Sequence, residues 1–247
     1  MATLVIQSHR TPLPADWYQP CLDSVRSWAA QLKFTYRFVG DEFFEPLPDD
    51  IVQRTVERTV VAADLARLYA IRQGLQEGFT TVVWCDADVL VIDPEGLTLP
   101  EEAYALGREV WVQGPHDALR AYVKVHNAFL LFRQGNSFLE FYLDTALRLI
   151  RAHDGLMAPQ FIGPKLLTAI HNVIGCPVIE TAAMLCPAVA IDLLNGGGPA
   201  LALFRRRNTV APAAVNLCGS LIALGELSNE EVGALIDLLL NRPSLLK

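Results

Sequence analysis

Runs of apolar residues in the first forty positions predict a strand, a helix and a second strand. The short run Leu4–Gln7 predicts a strand, and Leu22–Leu32 has the three- and four-residue apolar spacing of an amphipathic helix. Phe34–Val39 predicts the second strand, which Gly40 ends. This order favours a βαβ unit, and therefore a parallel sheet.

The pattern continues with a long predicted helix, Val56–Gln76, and a strand whose position is well defined. Thr81–Cys85 reads TVVWC and carries no charge, which is typical of a strand covered on both faces. Further predicted elements are the strands Glu109–Val112 and Ala128–Phe132, and the helices Phe138–Ile150 and Gly163–Asn172. A last helix, to about Leu240, is predicted by the capping box Ser228-Asn229-Glu230-Glu231, and loops are predicted over Ser8–Pro20 and Asp41–Asp50. We find no repeat and no long linker, so the sequence predicts one α/β domain over residues 1–247.

Composition narrows the classes of function. The chain is 52% hydrophobic, which excludes disorder and leaves apolar surface for a large core or a homo-oligomer interface. Its net charge of −7 argues against nucleic acid or an anionic membrane as the partner, because both favour a basic face.

Cysteine usage and hydropathy give expectations about the compartment. The five cysteines are odd in number and have no CxxC spacing, so neither a disulfide framework nor a zinc site is indicated. We therefore expect a cytoplasmic protein. We expect no transmembrane segment and no signal peptide, since no apolar stretch reaches about 18 residues and the N-terminal one is short.

Two carboxylates interrupt the apolar stretch that follows the buried strand. Asp86 and Asp88 stand at i and i+2, and Val89–Ile92 is apolar again. In an open α/β sheet, ligands collect at the carboxyl ends of strands, and side chains two residues apart on extended backbone project to the same side. Oxygen ligands placed there suit Mn²⁺ or Mg²⁺ bound together with a diphosphate. The alternative is an acidic turn with no ligand.

A second charged pair lies in the helix before this strand. Asp64 and Arg67 are at i and i+3 on one helix face. A surface ion pair is the simplest interpretation, worth a few tenths of a kcal/mol. However, nearly all the neighbouring residues are apolar, which favours a pair that faces a cleft.

The combination AxDLxR and WCDADVLVID resembles the nucleotide-sugar glycosyltransferases of the GT-A fold, especially the DXD-containing group of families 32 and 8. Two later segments are also similar to those families, the Asn-containing strand VHNAFLLF and the helix start QFIGPKLLT, residues 160–168. The resemblance is continuous from about Thr3 to Thr168. It implies a Rossmann-like single domain with a mostly parallel mixed sheet flanked by helices. Residues 1–95 would form the nucleotide-sugar half and residues 96–247 the acceptor half.

The resemblance also implies roles for individual residues. Asp88 would bind the metal directly, and Asp86 would touch the donor or reach the metal through water. Asp64 and Arg67 would bind donor sugar hydroxyls and count with Asp86 and Asp88 as the catalytic set. The implied substrate-binding residues are Gln7 and Ser8 near the base, Ala87 in the motif, and Asn127, Gln160 and Gly163 on the sugar and acceptor side. The expected donor is a nucleotide-diphosphate sugar, most simply a UDP-sugar, and the acceptor is unknown.

Departures from the family leave some assignments open. Many relatives close the metal site with a C-terminal His, where this chain has Asn216. Asn216 is either a third, uncharged metal ligand or an ordinary loop residue. The Gly-Gly-x-Tyr segment common before the motif is missing as well. The group is largely retaining; an inverting enzyme would need a base, for which Asp117 is the loop candidate. Arg205-Arg206-Arg207, on a mobile segment, is either a second phosphate clamp or a solvated basic turn.

Two other functions fit parts of the sequence. Haloacid-dehalogenase-type phosphatases also have a strand ending in D-x-D, but they carry a Thr two places later, where this chain has Leu90, and the motif is usually on their first strand. A non-catalytic nucleotide-sugar-binding protein would explain the missing His. The sequence therefore favours a metal-dependent glycosyltransferase, with these two as alternatives.

Overall fold

A mixed six-stranded sheet forms the centre of the protein in a computed structural model that describes residues 2–115, 118–219, 222 and 225–247. Its strand order is β2 (Thr35–Val39), β1 (Thr3–Ser8), β3 (Thr81–Cys85), β6 (Arg120–Arg133), β5 (Tyr104–Gln113), β7 (Val178–Ile179). Only β6 runs against the others, so the predicted mostly parallel mixed sheet is confirmed. The predicted βαβ opening is also present, since β1 and β2 are parallel neighbours.

Helices cover both faces of this sheet. The helices of the described residues are α1 (Tyr18–Gln31), α2 (Asp49–Thr55), α3 (Thr59–Gln76), α4 (Phe138–Ala152), α5 (Pro164–Ile174), α6 (Pro187–Leu194), α7 (Pro199–Arg207) and α8 (Asn229–Asn241). On one face Val82 and Trp84 pack in a core with α3 and α4, and on the other Val83 and Cys85 pack with α1. This two-sided burial explains why β3 is continuously apolar.

A second, three-stranded sheet brings the C-terminal part of the chain to the end of β3. Its order is β4 (Val89–Val91), β9 (Ala214–Asn216), β8 (Ala182–Met184). Val89, the residue after the Asp86–Asp88 turn, pairs with Asn216. The strand that follows the acidic motif therefore decides which distant residue meets that motif.

Several boundaries differ from the predicted ones. The predicted helix Val56–Gln76 starts only at Thr59, and a separate helix, α2, precedes it. The predicted loop Asp41–Asp50 includes a 3₁₀ turn, Asp41–Phe44, and the start of α2. α1 begins at Tyr18, inside the other predicted loop. The 3₁₀ turn and α2 were missed because short helices packed on a core need few periodic apolar residues.

The predicted strands Glu109–Val112 and Ala128–Phe132 are both longer in the structure, because β5 and β6 form a hairpin that extends beyond the sheet. A register shift between Leu106 and Gly107 marks a β-bulge in this hairpin. Polar residues in the extension, such as Arg108 and Lys124, obscure the strand in the sequence. Asp117, the candidate base for inversion, lies outside the described residues.

The capping box that predicted the last helix is present. Glu231 N donates to Ser228 Oγ, and Ser228 N donates to the Glu231 carboxylate. Within the described ranges, no single helix is long and apolar enough to cross a membrane, although α6 and α7 together, bent by 118°, meet the length and composition required.

Candidate active site

The acidic turn is fixed by backbone bonds at the carboxyl end of β3. Asp86 N donates to Ala128 O on β6 at 2.8 Å. Gln7, at the end of β1, donates from Nε2 to Asp86 O at 3.1 Å and accepts from the Tyr36 hydroxyl. Gln7 is fully buried, so it holds the turn in place, while Ser8 ends β1 beside it.

A compact polar cluster joins α3, β3 and β6 next to this turn. The Arg67 guanidinium lies 3.1 Å from Asp64 Oδ1 and 3.2 Å from Asp86 Oδ1, and it donates to Asn127 O at 2.6 Å. Asn127 Nδ2 donates to Asp64 Oδ1 at 2.8 Å, and Trp84 Nε1 donates to Asp86 Oδ1 at 2.6 Å. The structure thus brings four of the predicted site residues into direct contact.

Asp64 and Arg67 form a buried pair and not a surface one, with exposed fractions of 3% and 6%. Burial raises the pKa of Asp64 to about 6, although Arg67 and the bond from Asn127 favour its ionised form. Burial alone would lower the pKa of Arg67, but Asp86 and Asp64 outweigh it and raise that pKa. The guanidinium is therefore a permanent cation between two carboxyl groups.

Two buried polar atoms of this pair have no hydrogen-bond partner among the described residues, Asp64 Oδ2 and Arg67 Nε. Gly163, just before α5, lies against the first of these atoms: a Cβ there would come within 2.4 Å of Asp64 Oδ2 and 2.8 Å of Asn127 Nδ2. Buried polar atoms are rarely left unpaired in native proteins. Asp64 Oδ2 is therefore a buried acceptor without a donor among the described residues, and Gly163 is packed closely against it.

Asp88 is held by the segment that follows β9. Asn216 Nδ2 donates to Asp88 Oδ1 at 2.5 Å, and Gly219 N donates to Asp88 Oδ2 at 2.7 Å. Burial, and next the charge of Asp86, raise the pKa of Asp88 to about 6. Each carboxylate oxygen still has a free lone pair, and Asp86 Oδ2 accepts no hydrogen bond from the described residues.

This donor set fits one hard divalent cation. Two carboxylates that repel each other gain from a cation between them, and Mn²⁺ or Mg²⁺ usually takes few protein ligands together with substrate phosphates. No group of three or more His, Cys, Asp or Glu side chains suited to a metal occurs within the described part of the chain. Asn216 bonds Asp88 through its amide nitrogen while its oxygen accepts from Cys218 N at 2.9 Å, so ligation by Asn216 requires its amide to rotate.

Other predicted residues lie outside the bonded cluster. Ala87 is buried in the acidic turn, whereas Gln160 is exposed and its side chain makes no hydrogen bond to any described residue. The basic triplet is the last turn of α7, where Arg205 donates to Leu245 O, so the triplet lies on a helix and not on a turn.

Tyr18 is a site residue that the sequence did not indicate. A Cβ on Gly219 would lie 2.8 Å from the Tyr18 hydroxyl and 3.3 Å from Asp88 Oδ2, so the two groups are near each other. Burial and then the Asp88 charge raise the pKa of Tyr18 above its ordinary range. Tyr18 also stacks on Trp17, with ring centroids 3.7 Å apart. No spacing in the sequence connects Tyr18 with Asp88, because only the fold brings them together.

Comparison with solved structures identifies the fold. A glycosyltransferase involved in the glycosylation of the major capsid of PBCV-1 matches 96% of this chain and 100% of its own with a TM-score of 0.51 and 11% identity. Two structures of the galactosyltransferase LgtC, one in complex with donor and acceptor sugar analogs and one of an active-site mutant, have TM-scores of 0.46 and 0.44. Each is 15% identical, and the matches cover 95% and 94% of this chain and 95% of each LgtC chain. No protein-family model and no curated protein match the sequence. The first likeness shows a shared fold, and the chain has the predicted GT-A architecture.

Proposed function

We propose that this chain is a metal-dependent glycosyltransferase that moves a sugar from a nucleotide-diphosphate sugar, most simply a UDP-sugar, to an acceptor hydroxyl. The observation that carries the proposal is the unpartnered, buried Asp64 oxygen beside the Asp86–Asp88 pair at the carboxyl edge of the sheet. A sugar supplies hydroxyl donors and a diphosphate supplies metal ligands, so one donor molecule would satisfy both features.

Asp88 and the free oxygen of Asp86 would hold Mn²⁺ or Mg²⁺. When bound, such an ion neutralises the charge that develops on the departing diphosphate. In this proposal residues 1–95 bind the nucleotide sugar and residues 96–247 bind the acceptor.

The chain's own residues would bind and orient the donor sugar. Asp64 Oδ2 would accept a hydrogen bond from a sugar hydroxyl and Arg67 Nε would donate one, since both atoms lack partners among the described residues. In the reaction the bond between the anomeric carbon and the phosphate oxygen breaks and a bond to the acceptor oxygen forms. The hydroxyl proton leaves with the diphosphate, which requires no protein base and is consistent with retention of configuration.

The phosphatase alternative has less support. Leu90, at the position of the phosphatase Thr, is fully buried in β4 and offers no hydroxyl.

Replacing Asp88 tests the proposed metal-dependent reaction. Asp88→Ala should reduce Mn²⁺-dependent hydrolysis of UDP-sugars at least 100-fold, because it removes the charge that holds the cation. The free energy of unfolding should change by less than about 1 kcal/mol, because the lost hydrogen bonds are offset by removal of a charge disfavoured by burial. Nucleotide release and urea denaturation measure the two effects, and Asp237→Ala, on the exposed side of α8, is the control.

Three results would contradict the proposal. Full activity in Asp88→Ala would make this residue structural. Metal-independent binding of UDP-sugars without hydrolysis, even at high protein concentration, would favour a non-catalytic binding protein. Hydrolysis of a simple phosphomonoester without nucleotide-sugar binding would favour the phosphatase.

A further inference from the structure

Trp84 on β3 lies directly beside the acidic turn. Its side chain is buried, and its Nε1 donates to Asp86 Oδ1 at 2.6 Å. Side chains two residues apart on an extended strand share a face, so the indole and the Asp86 carboxylate lie next to each other. A hydrogen bond to an ionised carboxylate is stronger than one between neutral groups. Trp84 therefore supplies a firm contact to one oxygen of the motif.

The indole ring is itself fixed by its surroundings. Its strand is central in the sheet, paired with β1 on one side and with β6 on the other. The Phe43 ring stacks on Trp84, with ring centroids 5.2 Å apart and an angle of 19° between the planes. The guanidinium carbon of Arg67 lies 5.5 Å from the centre of the indole, within the range of a cation–π contact. The N–H group that Asp86 meets is thus in place before any ligand binds.

Arg67 and Trp84 hold the same oxygen of Asp86. The guanidinium lies 3.2 Å from Oδ1, and the indole nitrogen lies 2.6 Å from it. Two partners on Oδ1 restrict rotation of the carboxylate. Oδ2 accepts no hydrogen bond from the described residues, and the Asp86 side chain is 25% exposed, so Oδ2 is the oxygen left for a cation.

A second buried tryptophan shows that burial alone does not require such a bond. Trp28 in α1 is fully buried, and its Nε1 has no hydrogen-bond partner among the described residues. This fold therefore accommodates one indole for packing only. Trp84 differs from Trp28 because its N–H group is bonded to a carboxylate of the candidate site.

We propose that Trp84 is a positioning residue for the metal site, which together with Arg67 holds Asp86 Oδ1 so that Oδ2 faces the divalent cation. This inference rests on the proposed glycosyltransferase function. Groups that hydrogen-bond a metal-binding carboxylate orient it, and their loss usually lowers metal affinity about 10- to 100-fold. Arg67 still holds Asp86 when the indole N–H is removed, so the expected loss is at the lower end of this range.

The test compares the same substitution at the two buried tryptophans. Trp84→Phe removes the N–H group and keeps an aromatic ring, and Trp28→Phe is the matched control at an indole without a partner. The EPR signal of free Mn²⁺ gives the Kd for Mn²⁺ in the presence of saturating UDP. Donor hydrolysis over a range of Mn²⁺ concentrations gives kcat and the KM for the metal.

Trp84→Phe should raise the Kd and the KM for Mn²⁺ about tenfold, while kcat at saturating Mn²⁺ stays within about threefold of wild type. Trp28→Phe should keep the Kd of wild type. Both variants lose packing contacts, so both should unfold at lower urea concentration. A merely structural role of Trp84 would instead lower kcat, by reducing the amount of folded protein, and would leave the Kd for Mn²⁺ unchanged.

A Kd for Mn²⁺ that is equal in wild type and Trp84→Phe would overturn the inference and leave the proposed function intact. An equal loss of affinity in Trp28→Phe would overturn the inference as well. Failure of the proposed function itself would look different, because wild type would then bind no Mn²⁺ in the presence of UDP, and both proposals would fall together.

A measurement on wild type tests the inference if Trp84→Phe does not fold. The chain has four tryptophans, and Trp17→Phe, Trp28→Phe and Trp111→Phe assign three of the four indole N–H signals in its NMR spectrum. The fourth signal, from Trp84, should shift when Mg²⁺ and UDP are added together. A signal that stays unchanged at saturating Mg²⁺ and UDP would overturn the inference.

Discussion

At the scale of single residues, the site depends on one position without a side chain. Gly163 packs directly against Asp64 Oδ2, so that a Cβ there would lie 2.4 Å from this oxygen. The carboxylate it faces is buried and paired on one oxygen only. A glycine is therefore required here by a close approach and not by an unusual backbone angle, since its φ is −87°.

Gly163→Ala should weaken donor binding at least tenfold and lower the free energy of unfolding by about 1–3 kcal/mol, because the new methyl group overlaps Asp64 and Asn127. Thermal shift with UDP-sugar and Mn²⁺ measures the first effect and urea denaturation the second. Gly233→Ala is the control, since no atom lies within 4 Å of a Cβ there and α8 should gain about 0.5–1 kcal/mol. Normal donor binding in Gly163→Ala would contradict the assigned sugar position.

At the scale of elements, β9 and the residues after it close the acidic site. Asn216 bridges Asp88 and Cys218 N, and Gly219 N bonds the other Asp88 oxygen. Cys218 has a φ of 52°, in the left-handed region, which turns the chain at this point. The segment thus stabilises Asp88 by hydrogen bonds where relatives are expected to have a metal-binding His.

Asn216→His should bind Mn²⁺ about tenfold more tightly in the absence of nucleotide. An imidazole nitrogen is a good ligand, whereas Asn216 must first give up its bonds to Asp88 and Cys218. Titration with Mn²⁺, followed by thermal shift, measures the change, and Asn216→Ala is the comparison. If both variants bind Mn²⁺ equally, the residue at this position does not contact the metal.

At the scale of the whole molecule, His126 joins the two sheets. Its Nδ1 accepts from Ala128 N at 3.1 Å, so the ring proton is on Nε2 and is donated to Ala182 O. The ring also fills the space over Gly107, where a Cβ would lie 2.2 Å from Cε1. Burial, only partly offset by the bond to Ala182, lowers the pKa of His126 to about 4.

The stability of the protein should therefore depend on His126 in acid. Between pH 6.5 and about 4 the unfolded chain binds a proton at His126 that the folded chain does not, so its contribution is complete above pH 6.5 and is lost as the pH falls. The loss amounts to about 3 kcal/mol at most. Asp64 and Asp88 act in the opposite direction, because their pKa values are raised to about 6 in the folded state.

Comparison of wild type with His126→Asn isolates the contribution of His126 to the pH dependence of stability. Asn offers an acceptor for Ala128 N but does not titrate, and the carboxylates are the same in both proteins. In urea denaturation from pH 7.5 to 4.5, the advantage of wild type over the variant should shrink as the pH falls. A difference independent of pH would show that His126 does not cause the acid sensitivity.

The expected homo-oligomer would bury apolar side chains that are exposed on the surface of this chain. Val56 on the linker before α3 and Val173 on α5 are the most exposed of these in the described part of the chain. Oligomer formation, cytoplasmic location and the division into two functional halves stay predictions.

Local patterns in the sequence determined the fold class and the central acidic motif. The apolar β3 strand, the two carboxylates after it and the charged pair in the apolar helix are contained within about 25 residues, where spacing reports geometry directly. Helix ends and strand lengths were less well predicted, because packing and the bulge at Gly107 set them.

Only the tertiary structure decided which distant residues complete the site. Asn216 bonds Asp88, 128 positions away in the sequence, because β9 pairs with β4. Asn127 bonds Asp64, 63 positions away, because β6 pairs with β3. Such contacts depend on strand register and burial, and these are properties of the whole chain that no local spacing encodes.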